Sequence, residues 1–105
     1  MTQQEFDVLL TCTFTSLSAL TKSKGREYAN SSDQLANFRR LASMLDLIPS
    51  VVLLVYLQKH LDSVFQYVKS MSSGVTPIES EPIQGRIDDA ILYLILLKAL
   101  LSEQR

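Results

Sequence analysis

Apolar residues along this chain recur at three- and four-residue steps rather than alternating, and that rhythm predicts helices almost throughout. Phe6, Leu9, Leu10, Leu17 and Leu20 mark the first helix. Thr2 and Glu5 precede it at the spacing of a capping box, in which each side chain satisfies the other's backbone N–H. Thr11, Thr13 and Thr15 weaken helix propensity in its middle, and Gly25 is placed to end it. A polar, turn-like stretch over 25–32 follows. Ser31 or Ser32 can cap a second helix, whose apolar face is Leu35, Phe38, Leu41, Ala42 and Leu45, with Asn37, Arg39 and Arg40 off it. Pro49 breaks that pattern, and Ser50 can cap what comes next.

The third helix is the longest, spanning 51–71. Its opening, Val51-Val52-Leu53-Leu54-Val55, reads locally as a strand. Leu57, Leu61, Val64, Phe65 and Val68 then keep helical spacing, and the longer signal decides. Met71-Ser72-Ser73-Gly74 ends it, and 72–80 is a loop. The fourth helix is expected from near Ser80, with Pro82 tolerated in its first turn and Glu81 at the positive end of its dipole. From Ala90 to Leu101 it is apolar nearly all round, interrupted by Tyr93 and Lys98. A helix apolar on every side must be buried on every side, which four helices of one short chain rarely achieve. The expectation is an all-α, single-domain bundle of about four helices over 1–105 that forms a homodimer or higher oligomer through the fourth helix and the start of the third.

Composition narrows the function classes. At 105 residues, 47% hydrophobic and 20% charged, the chain has the balance of one folded domain. A net charge of -1 supplies no general basic field for a phosphate backbone. The lone Cys12 lies in an apolar run and reads as a buried, inert thiol, in keeping with a reducing cytoplasm. Met1–Glu5 lacks the positive start of a secretory signal. The longest apolar run, Ala90–Leu97, is far shorter than the roughly 20 residues of a membrane span.

Candidate chemistry is sparse. There is no phosphate-cradling glycine loop, paired-cysteine zinc motif or nucleophile elbow. Lys59, Asp62, Ser63 and Gln66 share a face of the third helix, with His60 one position round; composition alone favours a solvated face with an Asp62–Lys59 pair. Glu81, Asp88 and Asp89, with Arg86 among them, offer carboxylates on the fourth helix, and Glu27 and Asp33 add two more. Acids gathered from two helices and a loop suit magnesium, which takes hard oxygen ligands. Acids at a helix start are also ordinary.

One longer pattern stands out. Lys24-Gly25-Arg26-Glu27-Tyr28, then Asn37-Phe38, then Lys59-His60 with Ser63, then Glu81 through Gly85-Arg86 and Asp89 to Tyr93, resembles short helical phage proteins of the nucleotide-modification-associated domain family. The family's Glu, placed eight residues before Asp-x-x-x-Tyr, is matched by Glu81, Asp89 and Tyr93. Gly25, Glu27 and Ala29 depart from its Asn, Asp and Gly. More distantly the chain resembles the MazG-like all-α nucleotide pyrophosphohydrolases, but it lacks their Glu-x-x-Glu pair. The resemblance implies a phage accessory protein in the host cytoplasm that binds a host defence protein or a signalling nucleotide rather than catalysing a reaction. It also implies an alternative, a magnesium-dependent pyrophosphohydrolase-like enzyme. Nucleotide-binding candidates are Lys24, Tyr28, Lys59, His60, Ser63, Arg86 and Tyr93. Glu27, Glu81 and Asp89 would hold magnesium if the protein were enzymatic. No other cofactor is implied, and no membrane or general nucleic-acid partner.

Overall fold

The computed structural model describes the backbone of residues 1–27, 35–77 and 82–103, and the side chains of the same segments except 23–27. All regular structure among these residues is helical, in the order α1 (Gln3–Glu27), α2 (Ala36–Leu45), α3 (Pro49–Ser72) and α4 (Ile83–Glu103). The chain divides into two compact units, Met1–Gln34 and Leu35–Arg105.

The first unit is built on α1. Its capping box forms as the sequence predicts: Thr2 N–H donates to Glu5 Oε2 and Glu5 N–H to Thr2 Oγ1, both at 3.1 Å. The threonines do not interrupt the helix, because their hydroxyls turn back onto it. Thr11, Thr13 and Thr15 donate to the carbonyls of Asp7, Leu9 and Thr11 at 3.0, 2.8 and 2.9 Å. Gly25 does not end α1, which continues to Glu27. A helical glycine costs about 1 kcal/mol relative to alanine and does not by itself stop a helix. Cys12 is exposed rather than buried. The apolar residues around it, Leu9, Leu10 and Phe14, are exposed as well, so the apolar run does not bury the thiol. Thr2→Ala removes one half of the capping box and is expected to cost about 1 kcal/mol of α1 stability. A drop in helical ellipticity on warming, restored by Thr2→Ser, checks this.

The second unit packs α2 on α3 and α3 on α4. Its core is Leu35, Phe38, Ala42, Val52, Leu53 and Leu100, flanked by Leu41, Tyr93, Leu96 and Leu97. Leu35, Phe38, Leu41 and Ala42 therefore face the core as their spacing predicts. Leu45 belongs to the same stripe but is exposed. The helix ends there, and the chain turns through 106° into α3, so Leu45 falls beyond the part of α2 that α3 covers. Asp46 makes the turn in the left-handed region at φ 55, and Leu47 N–H reaches back to Ala42 O at 2.9 Å.

The starts of three helices differ from the sequence expectation. Ser31 and Ser32 lie outside the described residues; α2 begins after Leu35, with no side-chain cap. Ser50 does not cap α3: Ile48 is the cap residue and Pro49 the first helical position. Proline suits that place because its φ is already helical and the missing N–H would have had no partner. The expected start of α4 at Ser80, and Glu81 beside it, lie outside the described residues. Pro82 O accepts from Gly85 and Arg86 N–H at 3.1 and 3.3 Å, and α4 begins at Ile83 with no acid in its first turn. The end of α3 follows the sequence, with Gly74 at φ 74 and Val75 N–H bonded to Ser70 O at 3.0 Å.

Among the described residues no single helix is long and apolar enough to cross a membrane; α2 and α3 together reach the length and composition, across their bend. The apolar girdle of α4 is only partly covered within the chain: Leu94, Ile95 and Leu101 stay exposed.

Candidate functional site

Antiparallel packing of α3 and α4 brings one subset of the candidate residues together. Tyr56, His60 and Ser63 follow one another at four- and three-residue steps, so they line one side of α3. Arg86 and Tyr93 stand two turns apart on α4. The His60 ring lies 4.9 Å from that of Tyr93, tilted by 30°. Tyr56 stacks on Tyr93 at 6.2 Å with the planes 8° apart. Phe38 of α2 meets both tyrosines edge-on, at 6.0 and 6.1 Å. One turn beyond His60, Arg86 Nη1 donates to Ser63 Oγ. The result is a seam of rings continuing into a guanidinium–hydroxyl contact, with His60, Ser63, Arg86 and Tyr93 each half-buried.

Chemically, such a seam offers an aromatic face, an imidazole and a cation in line. Tyrosine and histidine rings can stack on a planar base, and a guanidinium suits a phosphate. The rings are engaged with one another and Arg86 with Ser63, so a ligand would have to replace those contacts. Among the described residues no polar or charged side chain is fully buried, so the seam has none of the desolvated polar groups that usually carry acid–base chemistry.

The other candidates are not gathered there. Lys59 is exposed on α3. Asp62 does not pair with Lys59 but accepts from Gln58 Nε2 at 2.8 Å, one turn back on the exposed side. The amide reaches along its own stripe, whereas Lys59 projects from the next one round. The side chains of Lys24 and Glu27, and all of Tyr28, Asp33 and Glu81, lie outside the described residues. Of the magnesium candidates only Asp89 is described, half-buried on α4. No group of three His, Cys, Asp or Glu side chains gathers among the described residues.

Two features escaped the sequence reading. Tyr56 joins the ring cluster, and its four-residue step to His60 was the available signal. Arg39 Nη2 pairs with Glu103 Oε2, tying α2 to the end of α4. No local spacing announces a pair 64 residues apart. A shallow hollow of about 310 Å³ also lies at the end of α3, lined by Tyr67, Met71, Gly74, Val75, Thr76 and Pro77. None of the candidate residues lines it.

The Arg86–Ser63 contact is testable as a pair. A double-mutant cycle with Ser63→Ala and Arg86→Ala is expected to give a coupling of about 1 kcal/mol, the worth of a half-exposed charge-assisted hydrogen bond. Urea unfolding of the four proteins measures it, and additive losses would mean that the contact contributes nothing.

Comparison with protein-family models, with curated proteins and with solved structures finds no match to this chain.

Proposed function

We propose that this chain is a phage-type accessory protein that acts in the host cytoplasm by binding a host protein, such as a component of a defence system, rather than by catalysis. The observation that carries the reading is the α2–α3 corner. Met44 (71% exposed), Leu45, Leu47 and Ile48 stand uncovered there around the Asp46 turn. Contiguous apolar surface of this kind is uncommon on a monomer and typical of an interface core, where methionine is enriched and charge is sparse. The exposed Leu94, Ile95 and Leu101 of α4 support self-association as a second part of the same reading.

A second reading has its own support. His60, Ser63, Arg86 and Tyr93 share the α3–α4 seam, which favours a protein that sequesters a signalling nucleotide without cleaving it. That reading predicts stoichiometric binding, no turnover and no need for magnesium.

Incubation with a mixed panel of linear and cyclic nucleotides, with and without magnesium, separates the three. Chromatography reports turnover, and native mass spectrometry reports retained ligand. Turnover would overturn the binding reading. Retained, intact nucleotide would replace the protein target with the nucleotide. If neither occurs, a defined host protein is expected to be held by the wild type and lost by a Leu45→Glu/Ile48→Glu variant. Capture of no specific protein would count against the proposal.

A further inference from the structure

We propose that the protein bound at the α2–α3 corner presents a cation, an arginine set among apolar side chains, and that Asp46 receives it. The inference rests on the host-protein reading above and names the chemistry of the surface that the corner meets.

Asp46 is the only charged residue between Arg40 and Lys59. It is exposed, with Met44 and Leu45 before it and Leu47 and Ile48 after it, all four exposed as well. Those four side chains leave on the order of 450 Å² of apolar surface open, more than half of the roughly 800 Å² that one partner brings to a standard interface. Among the described residues the Asp46 carboxylate makes no hydrogen bond or ion pair. The nearest cations along the chain are already engaged, Arg39 with Glu103 and Arg40 with Asn37 Oδ1 at 2.7 Å. Nor does the carboxylate cap α3, whose start has no side-chain cap.

The position is unfavourable for an acid on two counts. Asp46 ends α2, where the carbonyl end of the helix dipole repels a negative charge. Its backbone lies in the left-handed region at φ 55, which glycine adopts without steric cost and asparagine as readily as aspartate. The corner asks nothing of the carboxylate, because main-chain bonds close it, from Asp46 N–H to Ser43 O and from Leu47 N–H to Ala42 O. A residue that breaks the local rules of its own helix without a compensating contact in the fold is the kind found at functional sites. What the free chain lacks there is a counter-charge, and a partner's cation supplies it.

The apolar surround makes arginine the fitting cation. Docking would shield the carboxylate from water and strengthen the pair, and a guanidinium can meet a carboxylate through two parallel hydrogen bonds. The same charge opposes the other occupants of an apolar corner. A second copy docked corner to corner brings carboxylate to carboxylate, and an anionic lipid surface faces a like charge.

Titration of the full chain with two short peptides tests this, one carrying an arginine between leucines and the other a glutamate in its place. Backbone amide resonances report the binding. The arginine peptide is expected to shift the resonances of 44–51 and to bind at least tenfold more tightly than its twin at low salt. Asp46→Asn should abolish that preference, and Asp46→Lys should reverse it. Asp46→Asn should at the same time raise the urea midpoint, since it removes the repelled charge and keeps the turn. A carboxylate with a structural role would instead lower it, which would overturn the proposal. Equal binding of the twins, or binding of neither at millimolar concentration, would also overturn it. So would co-sedimentation of the wild type with anionic vesicles, or corner resonances that shift on dilution, which would name lipid or a second copy as the occupant. A host protein lost by Leu45→Glu/Ile48→Glu but held equally by Asp46→Lys would overturn this inference and leave the host-protein reading standing. A preference for the arginine peptide with no host protein captured would do the reverse.

Discussion

Leu53→Ala lowers the unfolding free energy of the second unit by about 3 kcal/mol. Leu53 is 0% exposed, within a cluster of Leu35, Phe38, Ala42, Val52 and Leu100. Truncation to alanine removes three buried carbons and leaves a cavity that two rigid neighbours, the β-branched Val52 and the ring of Phe38, cannot fill. The loss is large for a unit of this size. Domains hold roughly 0.05–0.15 kcal/mol per residue, so the segment Leu35–Arg105 is expected to be stable by only about 4–10 kcal/mol. Urea unfolding followed by circular dichroism should show the midpoint falling with the slope unchanged. The paired control is Leu45→Ala on the same predicted stripe of α2. That side chain is exposed, and its loss should change stability by less than about 0.5 kcal/mol. Equal losses at the two positions would mean that the core is not centred where Leu53 lies.

The contrast between Leu53 and Leu45 also marks how far the sequence could be read. Periodicity assigned helix correctly across α1 to α4, even where Val51 to Val55 looked like a strand, because the signal sustained over the following turns outweighed the local one. Motifs that close on themselves within a few residues were also legible. The Thr2–Glu5 box and the Gly74 stop each use bonds across three to five positions, and both form. Periodicity does not say where a face stops being covered. Leu45 is in phase with Phe38, yet it stands at the turn made by Asp46 and is exposed. Pro49 marks a boundary without saying on which side of it the helix begins.

The candidate site divides in the same way. His60, Ser63, Arg86 and Tyr93 are polar or aromatic residues that punctuate apolar helices, and α3–α4 packing brings them to one seam. Tyr56 is hidden in the sequence by the apolar run around it, although its step to His60 places it on the same side. Partners distant in sequence were beyond reach: Arg39 with Glu103 depends on how α2 lies across the end of α4. Asp62 shows a subtler failure. Lys59 and Gln58 both stand within reach by spacing, and charge favoured the lysine, yet the exposed pair that forms is Gln58 with Asp62. An exposed ion pair is worth little, so charge alone is a poor guide to which side chains meet.

Phe38→Ala is expected to cost about 4 kcal/mol and to loosen the candidate seam along with the core. Phe38 is buried on α2 and belongs to the same cluster as Leu53. It also meets both Tyr56 and Tyr93 nearly at right angles, with interplanar angles of 77° and 79°. The positive rim of one ring against the negative face of another adds about 0.5–1.5 kcal/mol beyond burial, and Phe38 makes two such contacts. Two further substitutions separate these contributions. Phe38→Leu keeps most of the buried volume and loses the edge contacts, so it should recover more than half of the alanine loss. Tyr93→Phe keeps the ring and removes only the hydroxyl, so it should preserve the stack on Tyr56 and the contact with His60. If the seam binds a nucleotide by stacking, Tyr93→Phe should retain affinity, while Phe38→Ala should reduce it despite lying behind the seam. Unfolding free energies and nucleotide titrations on the three variants read both effects. A Phe38→Ala protein as stable as wild type would show that the ring cluster is incidental to the fold.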